Sequence, residues 1–90
     1  MSVKVVISES FLVASGGITE VETSGKTIGE CLREAARKSP ALENIWFMPE
    51  GGISKYVLLC LNGEGIPGNN LDQAVNDGDE IYPLLVIGGG

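Results

Sequence analysis

Three glycines, Gly88, Gly89 and Gly90, close this 90-residue sequence directly behind the apolar run IYPLLVI. Glycine has no side chain and tolerates backbone conformations closed to other residues, so such a run makes a thin, flexible thread that fits a narrow channel. It ends in the α-carboxylate of Gly90, ionised at neutral pH because its reference pKa is about 3.3 to 3.7. A carboxylate is a poor electrophile until it is activated. An ATP-dependent partner can adenylate it, after which a sulfur donor displaces AMP to leave a terminal thiocarboxylate, or an amine attacks to leave an amide. Taken alone, the glycines read more simply as a frayed end. The preceding strand changes that weighing, because both of its alternating sets are apolar: Ile81, Leu85 and Ile87 on one side, Tyr82, Leu84 and Val86 on the other. Only one set can face a core, so the other is either covered by the middle of the chain or exposed as a docking patch beside the tail.

Other chemistries find little support. The sequence contains no histidine, and its two cysteines, Cys31 and Cys60, are not in CxxC spacing, which excludes a self-contained zinc site and a His-based triad. No nucleophile has a base beside it. The acidic segments EVE (20–22) and DGDE (77–80) read as a solvated strand face and a turn rather than as metal or acid-base sites. GEGIPG matches no phosphate-binding loop. A net charge of −6 repels phosphate backbones, so nucleic acid is not an expected ligand. The apolar runs are far shorter than the roughly 20 residues that cross a bilayer and the N-terminus lacks a signal-peptide layout, so a cytoplasmic protein without membrane contact is expected. No metal and no bound cofactor are called for.

The elements that must position the tail follow from periodicity. VKVVIS (3–8) reads as a strand, and ITEVETS (18–24) as a second, returned antiparallel through Gly16 and Gly17. From Thr27 the period changes: Ile28, Cys31, Leu32, Ala35 and Ala36 recur at helical spacing, with a Thr27/Glu30 capping box at one end and Pro40 beyond the other. The stretch SPALENIWFMPEGGIS (39–54) reads as a loop with at most one short helical turn. Its Trp46, Phe47 and Met48 are expected to fold over an open end of the core, in preference to forming a partner-binding patch. KYVLLCLNG (55–63) is the strongest strand, with Val57, Leu59 and Leu61 toward the helix, Leu58 and Cys60 away from it, and a tight turn at Asn62-Gly63. Cys60 is either a thiol near a partner surface or, the simpler reading, a covered sheet residue. LDQAV (71–75) resembles a helical or 3₁₀ turn, the segment 76–79 is a turn, and EIYPLLVI follows, where Pro83 marks a bulge or a break. One domain spanning 1–90 is expected, α+β in class. The element order points to a ubiquitin-like β-grasp: a mixed sheet of four to five strands on one main helix, with first and last strands parallel at its centre and, as an expectation, a flexible tail at 88–90.

At this point the residues resemble a family. KTIGECLREAARKSPAL, YVLLCLNGEGI and LDQAVNDGDEIYPLLVIGGG, in this order and spacing, resemble the ubiquitin-like sulfur-carrier proteins, in layout most the small subunit of molybdopterin synthase. The resemblance implies that Gly90 is adenylated by an E1-like activating enzyme that uses ATP and then carries sulfur as a thiocarboxylate, with Gly89 fitting a narrow tunnel. Gly88 is a departure, since many relatives carry a larger residue there. The implied acceptor is an enzyme such as the large subunit of molybdopterin synthase, acting on a pterin cofactor precursor. A carrier for cysteine or thiamine biosynthesis and a protein modifier conjugated through Gly90 are the alternatives. Leu58, Cys60, Tyr82, Leu84, Val86 and Ile87 are the expected partner-docking residues.

Overall fold

A computed structural model describes residues 2–86. Five strands, β1 (Val3–Val6), β2 (Glu20–Thr23), β3 (Val57–Leu61), β4 (Glu64–Gly65) and β5 (Glu80–Leu85), form one mixed sheet in the order β2-β1-β5-β3-β4. The first and last strands pair in parallel at its centre (Lys4↔Glu80, Val5↔Ile81), and the remaining pairs are antiparallel. Helix α1 (Ile28–Lys38) and the shorter α2 (Pro40–Trp46) supply the other side of the core. This is the β-grasp that the order of sequence elements predicts.

Alternation along the strands decides what is buried. Val3, Val5, Val21, Val57, Leu59 and Ile81 point inward, where they meet Ile28, Cys31, Leu32 and Ala35 of α1 and Leu42 and Trp46 of α2. Phe11, from a 3₁₀ turn after β1, closes the core edge-on against Trp46, with ring centroids 5.9 Å apart. The Trp46 and Phe47 side chains are thus covered, as expected, while Met48 is 38% exposed.

Two expectations are corrected. The stretch after Pro40 is a seven-residue helix rather than a loop: Pro40 ends α1 and also sits in the first turn of α2, where its missing N–H costs nothing, and Leu42 and Trp46, four residues apart, share the buried face. LDQAV is not helical, because its carbonyls serve α1 instead. Leu71 and Gln73 accept the N–H groups of Gly29 (2.8 Å) and Ile28 (3.0 Å), sealing donors that a helix start otherwise leaves orphaned. The close approach favours a glycine at 29, where a Cβ would come within a tight 3.2 Å of Leu71. A 3₁₀ turn lies earlier, at Pro67–Asn69. The capping box forms with a shift: Thr27 Oγ1 accepts from the Glu30 N–H, and Glu30 reaches back to the N–H of Lys26.

Three devices hold β5 and its neighbour β3 in place. Gly78 donates to Ser2 O, Lys4 donates to Asp79 O and Ser2 donates to Asp77, so the 76–79 turn clamps the start of β1 to β5. Asn62 and Gly63, both at positive φ, make the hairpin turn between β3 and β4 that such a pair favours; the Asn62 amide also donates to Asp79 and accepts from Glu80 N–H. Because β4 has only two residues, the Asn69 side chain completes the β3 edge, accepting from Leu59 N–H (3.0 Å) and donating to Val57 O (2.7 Å).

Pro83 makes neither bulge nor break. It lies inside β5 opposite Leu59. Leu59 spends its N–H on Asn69 and its C=O on Ile66, both away from β5, so this is a pair without ladder bonds and the donor that proline lacks is not missed.

Candidate functional site

The tail chemistry falls on Ile87, Gly88, Gly89 and Gly90, which lie outside the described residues. The structure describes the surface from which they depart. On the sheet face turned away from the helices, Leu58 lies opposite Leu84 and Cys60 opposite Tyr82, in adjacent rows of β3 and β5. Leu58 (41%), Leu84 (36%) and Val86 (43%) are exposed, and Cys60 and Tyr82 are half-buried. The five described residues expected to dock a partner therefore gather beside the root of the tail, with no middle loop over them. A shallow depression lined by Cys60, Tyr82 and Leu84 continues away from the tail to Glu80 and the Asn62-Gly63 turn.

Two neighbours were not foreseen. Tyr56, 53% exposed, accepts the Val86 N–H through its carbonyl at 2.7 Å and so fastens the chain at the point where β5 ends. Leu85, in the same alternating set as the buried Ile81, is nevertheless 37% exposed. Val57, its partner in the same row of β3, is buried, so the cover of the core ends within this row, between the two strands. Strand parity gives no hint of this; only the reach of the core decides it.

Cys31 is buried on α1, and desolvation pushes its thiol pKa up, which makes it a core residue and a poor nucleophile. Half-buried Cys60 is a free thiol on the outer face. Arg33 donates to Gly51 O and lies 4.3 Å from the centre of the Phe47 ring, spending its guanidinium on fastening the 47–53 loop to α1. Among the described residues no group of His, Cys, Asp and Glu is arranged to hold a metal ion, and no helix is long and apolar enough to cross a membrane.

A parallel pair of terminal strands, a helix across one face and an apolar opposite face leading to glycines form the combination that the sequence resemblance implied. The model of the ThiS family matches residues 11–90. The chain belongs to the ThiS family. It is thereby one of the ubiquitin-like sulfur carriers and modifiers. Among solved structures it is similar to the small archaeal modifier protein 1 (SAMP1) of Methanosarcina acetivorans: 26% identity, TM-score 0.85, covering 99% of this chain and 96% of the other. It is also similar to a chain of the BexX/CysO complex of Amycolatopsis orientalis, at 24% identity and TM-score 0.82, with 98% and 99% of the two chains covered. A third likeness, at 21% identity and TM-score 0.65 with both chains covered fully, is to the complex of subunits 1 and 2 of the molybdopterin-converting factor of Helicobacter pylori. No curated protein sequence matches significantly.

Proposed function

We propose that this ThiS-family chain is a sulfur carrier whose Gly90 carboxylate is adenylated by an E1-like partner and converted to a thiocarboxylate. The partner consumes the ATP, and the chain binds no cofactor of its own. The observation that carries this reading is the exposed apolar surface of Leu58, Leu84 and Val86 at the root of a tail that the family match follows through Gly90. In the activation step the carboxylate oxygen attacks the α-phosphorus of ATP and pyrophosphate leaves. Hydrosulfide delivered by a sulfur donor then attacks the acyl carbon, AMP leaves, and the terminal thiocarboxylate remains. Leu58, Cys60, Tyr82, Leu84, Val86 and Ile87 hold the partner, Gly88 and Gly89 thread its channel, and the partner supplies the catalytic groups.

The acceptor we propose is a pterin cofactor precursor held by a larger synthase subunit. The likeness to a subunit of the molybdopterin-converting factor is consistent with this. A second reading, conjugation of Gly90 to lysines of target proteins, is favoured by the likeness to the archaeal modifier. Intact-mass spectrometry on the chain isolated from its own cell separates the two. Replacement of one oxygen by sulfur at Gly90 supports carriage, whereas Gly-Gly remnants on lysines of other digested proteins support modification. Deleting Gly90 should abolish sulfur loading by the activating enzyme while leaving the fold intact; loading that persisted would sink the proposal.

A further inference from the structure

The outer sheet face is graded in charge along β5. Its first row across the strands is Glu22, Lys4 and Glu80; the next contains Glu20 with Val6, and Tyr82 with Cys60; the row nearest the tail is Leu84 and Leu58. Adjoining surface depressions follow these rows. The apolar one shares Glu80 and Tyr82 with a second that adds Lys4 and Glu20, and a third joins Lys4 and Glu80 to Glu22, Asp77 and Asp79. Lys4 is the one base among these residues and is already engaged, 3.0 Å from Glu20 and 4.0 Å from Glu80; the Glu20 hydrogen bond and charge push its pKa up. Glu22, exposed, takes part in none of the ion pairs among the described residues.

We propose that this face docks a protein surface of matching polarity: an apolar side chain against Leu58, Tyr82 and Leu84, and a lysine or arginine against Glu22 and Glu80. The proposal rests on the reading that an activating partner serves Gly90, and it names that partner's chemistry. From Glu80 to Leu84 the strand advances about 13 Å at its usual rise per residue. An apolar anchor beside the tail alone lets the carrier pivot; a charged anchor at the far end of the same strand fixes the direction in which the tail points. The two anchors also divide the kinetics, since exposed charge governs encounter and apolar burial governs residence. A second copy of this chain docked face to face does not meet the requirement, because the base it brings to this face is Lys4, already paired. An anionic lipid surface is repelled by the acidic end.

The test is ATP–pyrophosphate exchange by the adenylating enzyme of the same cell, with the KM for the full chain read at low and high salt. Glu22→Lys is expected to raise KM about tenfold or more at low salt, with most of the effect lost at high salt, and Glu22→Gln to raise it less. Glu50→Lys makes the same change in net charge on the loop that Arg33 fastens to α1, and is expected to leave KM unchanged. Leu84→Ala is expected to raise KM at both salts. If Glu22→Lys and Glu50→Lys act alike, only overall charge matters and the charged anchor is overturned. If the wild-type chain supports no exchange at all, the activation of Gly90 fails first and takes this inference with it. Circular dichroism melts of each variant separate loss of docking from loss of fold.

Discussion

The two faces of one sheet divide the labour of this protein. Inward-pointing Val3, Val5, Val57, Leu59, Ile81 and Pro83 are at most 2% exposed, whereas Leu58, next to Val57 and Leu59, and Leu84, next to Pro83, are 41% and 36% exposed. Alternation alone produces the contrast, since successive side chains point to opposite faces. The inner set holds the fold, and the outer set contributes little to it and is free for a partner. Along β5 the boundary falls at Pro83, the last fully buried residue; beyond it Leu84, Leu85 and Val86 are all exposed.

The largest contrast between the faces is expected in thiol chemistry. Cys31 is buried and its thiol pKa is raised by desolvation, so it reacts only when the protein opens. For a domain stable by about 5 kcal/mol or more, global opening is rarer than about one in a thousand. In the native protein Cys60 should therefore react with a maleimide at least about a thousandfold faster than Cys31, as followed by mass spectrometry. A ratio below about tenfold would show that the inner face opens as readily as the outer one.

A paired substitution sharpens the same comparison. Ile81→Ala removes a fully buried side chain in the central strand and should cost about 2–5 kcal/mol in urea unfolding. Leu84→Ala, three residues further on, leaves no closed cavity and should cost under about 1 kcal/mol, while weakening activation. Comparable losses from the two would mean that the outer face also holds the fold together.

Much of this division was legible in the sequence. The alternation in KYVLLCL separated Val57 and Leu59 from Leu58 and Cys60, and the helical spacing from Ile28 to Ala36 identified α1, because both signals depend only on local geometry. What stayed hidden depended on distant partners. Pro40 ends one helix and begins another, and the choice rests on Leu42 and Trp46 finding the core. LDQAV has the composition of a helical turn, but its carbonyls are drawn to the start of α1. Leu85 has the parity of a core residue and is exposed although Val57, beside it in the same row, is buried. Asn69 reads as loop, and only the register of β3 reveals that its side chain stands in for a strand. For the candidate site, the outer-face residues followed from alternation, whereas Tyr56 joined them through a backbone bond that sequence does not encode.

The smallest expected effect lies at the opposite end of β5, where the turn joins the two faces. The Asp79 carboxylate accepts from the Asn62 side chain at 3.0 Å and from the Asn76 N–H at 2.7 Å, and these bonds, Asn62 first, hold its pKa below the ordinary 3.8. A depressed folded-state pKa means that the unfolded chain binds the proton more readily. The stabilisation is thus fully present above the unfolded value of 3.8 and is lost as pH falls through the lower folded value. Because the group is well solvated, the contribution is modest. Asp79→Asn keeps the shape and removes the titration. The stability difference between wild type and variant, read by urea unfolding at a series of pH values, should be constant above about pH 5 and shrink below about pH 4. A difference that instead grew on acidification would mean that Asp79 is not held by its hydrogen bonds, and that the turn clamping β1 to β5 owes its strength to the bonds made by Gly78, Lys4 and Ser2.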